Sequence, residues 1–342
     1  MSHTEISSLR EPVGVAVWGI GPHARRNVLP AFRSSPSTVL VGVSTRDRGV
    51  GEDVAHAHGC RYWADPAAML ADPRVHAVYL ATPIGVHFTQ GMQVLRAGRH
   101  LWCEKSLASS LSESRTLIAT AREAGLAVFE TFMYRYHPQF RTIQARVADP
   151  SFGDVVGLSC RFGLPPLDAP GFRGSRALGG GALHDVGCYV VSAASALLGP
   201  GLEVVHSDLH TPPGAEVDRD GVAVLRAPSG ASSLLQWGGE RAYRADLMVW
   251  GERGSLDAER VFSKPRDLTT TVRLRDLRGN VEEVPIPAAD AFAEMLTRFA
   301  AASVQDGARA ELMREAEEQA VLLEWIWTRR QPDPLRFTPS YG

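Results

Sequence analysis

Lys105 directly follows Glu104 at the end of an apolar run, His100–Cys103. A lysine at the carboxyl edge of a buried strand can donate a hydrogen bond to a substrate hydroxyl or ketone. Its charge also lowers the pKa of neighbouring acids. Asp185 and Tyr189 stand four residues apart, just after the triple glycine Gly179–Gly181. Positions i and i+4 share a helix face, so both side chains can reach one cleft. A tyrosine beside an ammonium suits proton donation to a ketone, and an ionised aspartate suits holding a hydroxyl or orienting Lys105. Each residue also has a plainer assignment: a strand-end surface lysine, a first-turn carboxylate facing the helix dipole, and a core tyrosine.

Gly19-Ile20-Gly21-Pro22-His23-Ala24 fits the G-x-G-x-x-G/A pattern immediately after the apolar run Val13–Trp18. The glycines permit a tight turn and close backbone approach to a pyrophosphate seated on a helix N-terminus. Together with the proton-transfer groups, this points to hydride transfer with a nicotinamide dinucleotide. Cofactor choice is read at the end of the second strand, where NAD enzymes usually carry an acid. Here the strand ends Val43-Ser44-Thr45-Arg46, and the first acid is Asp47. Hydroxyls plus a guanidinium suit a 2′-phosphate, which predicts NADP(H) in preference to NAD(H). Thr82 and Pro83 end the next strand, where the ligand crevice of such a sheet opens. His87 either faces the nicotinamide ribose or caps the following helix.

The elements that must position these groups alternate. Apolar runs at Val13–Trp18, Val39–Val43, Ala77–Thr82 and His100–Cys103 are separated by helix-type segments near Ala24–Arg33, Val50–His58, His87–Ala97 and Ser112–Ala124. Continuous apolar strands alternating with helices indicate a doubly wound parallel sheet covered on both faces. Past Pro138 the rhythm changes. A strand at Asp154–Phe162, a Gly/Pro-rich loop at Gly163–Gly181 and a helix at Ala182–Leu198 come first. Strand-type segments follow at Glu203–Leu209, Gly221–Arg226, Ser232–Trp237, Leu247–Trp250 and Thr270–Leu274. They predict a large, open, mostly antiparallel sheet, with closing helices at Asp290–Val304 and Glu311–Arg330. The reading is α/β: a Rossmann domain over residues 1–134 and a substrate-binding and oligomerisation α+β domain over 135–342.

The chain has 342 residues, 22% charged, with a formal net charge of -2, which argues against electrostatic capture of nucleic acid or an anionic membrane. Its four cysteines lack metal-ligand spacing, so no metal site is expected. No apolar run approaches the roughly 18 residues of a membrane span. Residues 1–12 are polar, with Glu5, Arg10 and Glu11, unlike a signal peptide. A cytoplasmic protein is expected.

As an ordered set, these motifs resemble the Gfo/Idh/MocA oxidoreductase family. The matching pieces are Gly19-x-Gly21-x-x-Ala24, Ala81-Thr82-Pro83-x-x-x-His87, Cys103-Glu104-Lys105, Glu130–Pro138 and Gly179-Gly-Gly-Ala-Leu-x-Asp185-x-Gly187-x-Tyr189. Within it, the likeness is greatest to the NDP-3-keto-6-deoxyhexose 3-ketoreductases of antibiotic deoxysugar pathways. It is carried by Glu130–Pro138, Phe162–Pro166, Ala242-Tyr243, Trp250-Gly251 and Arg260–Phe262. The resemblance implies NADPH, a nucleotide-sugar substrate, Lys105 and Tyr189 flanking the keto carbon, and homodimers or homotetramers built on the second sheet. It also places Glu104 and Lys105 beside the cofactor. Arg173, Tyr243 and Arg260 are candidate substrate contacts, with solvated surface the competing assignment for the arginines. Two positions depart from the pattern. Ser106 replaces the usual proline, which would restrict the lysine backbone, and Ile84 replaces an asparagine near the nicotinamide. The alternatives are a dehydrogenase of a free aldose, inositol or trans-dihydrodiol, and a non-catalytic NADP(H)-binding regulator.

Overall fold

The computed structural model describes residues 11–166 and 171–329. The first ten residues, part of the Gly/Pro-rich loop, and the end of the last predicted helix at Arg330 lie outside the described residues. Six parallel strands form the first sheet: β1 (Val13–Trp18), β2 (Thr38–Ser44), β3 (Arg61–Trp63), β4 (Ala77–Leu80), β5 (His100–Glu104) and β6 (Val128–Thr131). Their order is β3-β2-β1-β4-β5-β6, so the chain reverses direction across the sheet between β1 and β4. That is where the strand ends open a crevice. All six residues of β1 and all four of β4 are buried, as strands covered on both faces should be.

The connecting helices are α1 (Leu29–Ala31), α2 (Arg48–His58), α3 (Pro66–Ala71), α4 (His87–Arg96) and α5 (Leu111–Glu123). The continuous helix expected over Ala24–Arg33 is instead a π turn, Ala24–Val28, running into the short α1. Pro30 has no N–H to give to the Arg26 carbonyl, and the Arg266 guanidinium donates to that oxygen instead, at 3.4 Å.

After α6 (Pro138–Val147), the second sheet contains β7 (Val155–Gly163), β8 (Glu203–His210), β9 (Asp220–Arg226), β10 (Ser232–Gly238), β11 (Arg244–Gly251), β12 (Gly254–Ala258), β13 (Thr270–Asp276) and β14 (Val281–Ile286). The order is β14-β13-β12-β11-β7-β10-β9-β8, with β7 and β10 parallel and the other pairs antiparallel. One face packs on α7 (Cys188–Leu198). The other face is open and carries apolar side chains. Leu234 and Met248 both lie opposite Ser159, and Trp250 lies two residues along, 59% exposed. Arg176–Leu198 has the length and apolarity of a membrane span, yet 67% of its most apolar window is buried inside the protein.

Two final helices, α8 (Ala291–Val304) and α9 (Asp306–Thr328), return to the first sheet. Met295, Leu296 and Phe299 share a core with Val15, Tyr79 and Phe129. The Trp102 indole donates to Ser303 at 3.3 Å. The end of the chain therefore straps the two sheets together.

Candidate active site

The glycine turn is built as a phosphate cradle. Gly19 has φ of 101°, and a Cβ there would lie 2.7 Å from the Ala81 backbone, so only glycine fits. At Gly21 a Cβ would meet nothing within 4 Å. The turn thus presents backbone and open space together at the start of a helical segment, which fits a dinucleotide pyrophosphate. Ile20 is buried beneath it.

At the end of β2, Ser44 is only 1% exposed, Thr45 is half-buried and Arg46 is exposed. The Asp47 carboxylate accepts the Val50 N–H at 3.1 Å and caps α2. The acid at this position therefore serves the helix, and Arg46 stands beside the same helix N-terminus.

A cavity of about 720 Å³ lies between the two sheets. It brings together eight of the residues singled out in the sequence: Thr82, Glu104, Lys105, Arg173, Asp185, Tyr189, Tyr243 and Arg260. Gly19, Gly21, Pro83, Ser44, Thr45 and Arg46 do not line it; the last three sit on the far side of the glycine turn.

Lys105 Nζ donates to Asp185 Oδ1 at 3.1 Å and to the Asp185 carbonyl at 2.5 Å. Asp185 Oδ2 accepts from Arg173 Nε at 2.6 Å. Burial alone would pull the Lys105 pKa down, but the Asp185 carboxylate outweighs it and holds the pKa above the usual lysine value. Lys105 is therefore a fixed ammonium. For Asp185, burial pushes upward and the two cations more than offset it, leaving a permanent carboxylate. With both carboxylate oxygens engaged by cations, Asp185 orients Lys105.

Tyr189 contrasts with this saturated pair. Among the described residues its hydroxyl makes one weak contact, to Met133 Sδ at 3.8 Å, and Lys105 Nζ sits 5.2 Å from its ring centroid. Burial raises the phenol pKa and the ammonium pulls it partway back, so a proton stays on the oxygen at neutral pH. Asp185 and Tyr189 were expected on one α-helix. The structure places Asp185 in a π turn, Leu183–Gly187, and Tyr189 in α7. Such turns frequently occur at functional sites.

Glu104 lies under the glycine turn. Its Oε1 accepts from the Tyr79 hydroxyl at 2.6 Å and lies 3.2 Å from His23 Nε2. Burial opposes ionisation, but His23, Tyr79 and Lys105 together bring its pKa down to about 2. His23 and Tyr79 escaped the sequence reading. The one available signal was a polar-tipped residue inside the apolar run AVYLAT.

His87 corrects an expectation. It neither faces the cleft nor caps its helix: it is fully buried, with Nε2 2.7 Å from the Thr82 carbonyl and Nδ1 2.9 Å from the Ser106 carbonyl. It packs between the strand end at Thr82 and the loop that carries Lys105. The same loop is held by Leu107 N–H donating to Glu130 Oε1 at 3.0 Å. The Ser106 hydroxyl lies 3.2 Å from His184 Nδ1. Three contacts thus fix the loop where the family carries a proline. The Lys105–Ser106 peptide is cis. Ile84 is buried and lines the cavity where the family pattern has asparagine.

On the opposite wall, Arg260 lies 4.8 Å from the Tyr243 ring centroid, and the Tyr243 hydroxyl donates to the Ser263 carbonyl at 2.7 Å. Lys264, absent from the sequence reading, projects from the same loop.

Residues 13–132 match the oxidoreductase family with an NAD-binding Rossmann fold, GFO_IDH_MocA, and residues 140–257 match the GFO/IDH/MocA C-terminal domain. The chain belongs to the Gfo/Idh/MocA family. It is 34% identical over 329 residues to a dTDP-3,4-didehydro-2,6-dideoxy-alpha-D-glucose 3-reductase of Streptomyces violaceoruber, covering 92% of this chain and 95% of that one. A protein of the same name from Saccharopolyspora spinosa is 31% identical, over 94% and 99% of the two chains. The crystal structure of KijD10, a 3-ketoreductase from Actinomadura kijaniata in complex with NADP and TDP-benzene, superposes with a TM-score of 0.88. It is 30% identical over 94% of this chain and 98% of its own. Membership makes this chain an NAD(P)-dependent oxidoreductase acting on sugars.

Proposed function

We propose that this protein reduces a keto group, at C3, of a nucleotide-activated 6-deoxy sugar with NADPH. The observation that carries the reading is the pairing of a saturated Lys105–Asp185–Arg173 ion cluster with the under-bonded Tyr189 hydroxyl, in one cavity at the end of β5. The reductase relatives and the NADP and TDP-benzene complex support the substrate and cofactor.

Bound NADPH supplies the hydride to the carbonyl carbon. The chain supplies everything else. Tyr189 holds its proton at rest and gives it to the carbonyl oxygen as that oxygen gains charge. Lys105 stabilises both the oxygen and the phenolate left behind, and solvent restores the Tyr189 proton. Asp185 keeps Lys105 charged and aimed, acting through it. Thr82 and Glu104 line the cofactor side of the cavity. Arg46, beside the N-terminus of α2, is the group for a 2′-phosphate, with Thr45 alongside.

We also propose that residues 1–134 carry the cofactor and 135–342 the substrate and the subunit contact. The apolar face around Leu234, Met248 and Trp250 suits a second copy of this chain, because neighbouring exposed apolar side chains on one sheet face mark an interaction site. The test of the reaction is loss of NADPH absorbance with a dTDP-3-keto-6-deoxy sugar. Turnover that vanishes without the nucleotide diphosphate supports the reading. Equal or better turnover of free aldoses or polyols sinks it.

A further inference from the structure

The cations around the cavity fall into two groups. Lys105 and Arg173 are neutralised by Asp185, and Arg266 by Asp290 at 3.3 Å. Arg260 and Lys264 are different: among the described residues neither has a carboxylate within ion-pair distance. Arg260 lies against the Tyr243 ring, and Lys264 Nζ donates only to the Val261 carbonyl, at 3.1 Å. Asp267, farther along the loop, lines the cavity without pairing with either.

A half-buried lysine with no counter-ion is costly, and burial lowers the Lys264 pKa to about 7. The two groups share a rigid base. Arg260 and Lys264 flank the buried pair Val261 and Phe262. Phe262 packs against Phe162 and Tyr189, with ring centroids 5.2 and 5.9 Å away. The cations are thus anchored beside the second sheet, one residue layer from the proton donor. Arg26, which also has no carboxylate partner among the described residues, lies on the glycine-turn wall, where the cofactor's own pyrophosphate would be met.

We infer that Arg260 and Lys264 form the diphosphate clamp of the substrate, holding the two phosphates on the sheet side while the sugar reaches Lys105 and Tyr189. This inference rests on the nucleotide-sugar reading above. The planar Arg260 fork suits two oxygens of one phosphate, and the compact Lys264 ammonium suits the other as a point charge. The clamp places the phosphates at a set distance from the reacting carbon. It therefore discriminates a nucleotide-activated sugar from a free one.

The test is calorimetric titration of thymidine diphosphate, and separately of thymidine, into the NADPH complex of wild type, Arg260→Gln, Lys264→Gln and Lys264→Arg. Each glutamine variant should weaken thymidine diphosphate binding by about tenfold or more. Lys264→Arg should stay near wild type, and thymidine binding, NADPH affinity and melting temperature should not move. Unchanged thymidine diphosphate affinity in both glutamine variants overturns the clamp and leaves the nucleotide-sugar reading intact. So does a loss confined to NADPH, which assigns the cations to the cofactor. Wild type that binds NADPH but no thymidine diphosphate overturns the nucleotide-sugar reading, and the clamp with it.

Discussion

Glu130→Gln tests how the loop under Lys105 is supported. Glu130 sits in β6 and accepts the Leu107 N–H at 3.0 Å. Burial drives its pKa up to about 8, against smaller downward pulls from that N–H and from Lys105 and Arg135. An unfolded glutamate titrates near ~4.3. Between these values the native protein keeps a proton that the unfolded chain has released, so stability is greatest at the acid end of the window and falls as pH rises towards 8. Each pH unit is worth about 1.4 kcal/mol for a fully responsive site. Between pH 5 and 8 the ceiling is therefore on the order of 4 kcal/mol, and 2–4 kcal/mol is expected after relaxation around the site. Glutamine keeps the acceptor oxygen for Leu107 and cannot ionise. The assay is urea unfolding of both proteins at pH 5, 6, 7 and 8. The stability of Glu130→Gln relative to wild type should rise across the series by that amount. Because all other titrations cancel in the difference, a flat difference would refute the assignment of a proton to Glu130.

Three further outcomes follow from the geometry. Arg46→Ser should cut the ratio of NADPH to NADH affinity by about tenfold or more, read by nicotinamide fluorescence, since one charge-assisted phosphate contact is lost. Asp185→Asn should lower kcat by roughly 10²-fold with a smaller change in KM, because Lys105 loses its partner and its orientation while the cavity keeps its shape. Trp250→Glu should shift the protein to a smaller species by light scattering if the exposed sheet face joins two copies; an unchanged mass would remove that face from the interface.

Much of the fold was legible because burial on both faces makes a strand uniformly apolar. β1 matches its expected bounds, and β2, β4 and β5 differ at their ends by one or two residues. What escaped was short or polar. β3 has three residues, beginning with an arginine, so Lys105 follows the fifth strand of the sheet and not the fourth. β6 has four residues and lies inside a motif read for its chemistry. β14 carries Glu282, Glu283 and Pro285 and is tolerated only as an edge strand. α3 and α6 begin with Pro66 and Pro138, which occupy first-turn positions where no N–H is needed.

The site divides along a similar line. Lys105, Asp185 and Tyr189 were readable because their types and spacing imply a shared cleft. His87 was not, because a histidine buried between two backbone carbonyls looks the same in sequence as one facing a ligand. Lys264 carries no sequence signal at all; its meaning lies in having no carboxylate partner among the described residues, which only the fold reveals.

The central claim is that Tyr189 and Lys105 move and stabilise a proton during reduction of a nucleotide-linked keto sugar. The most direct measurement is single-turnover oxidation of bound NADPH by a dTDP-3-keto-6-deoxy sugar in wild type, Tyr189→Phe and Lys105→Met, with NADPH affinity measured alongside. The account predicts rapid turnover in wild type and losses of about 10²-fold or more in each variant at unchanged NADPH affinity. Wild-type rates retained in both variants, or no oxidation by wild type while NADPH is bound, would contradict it.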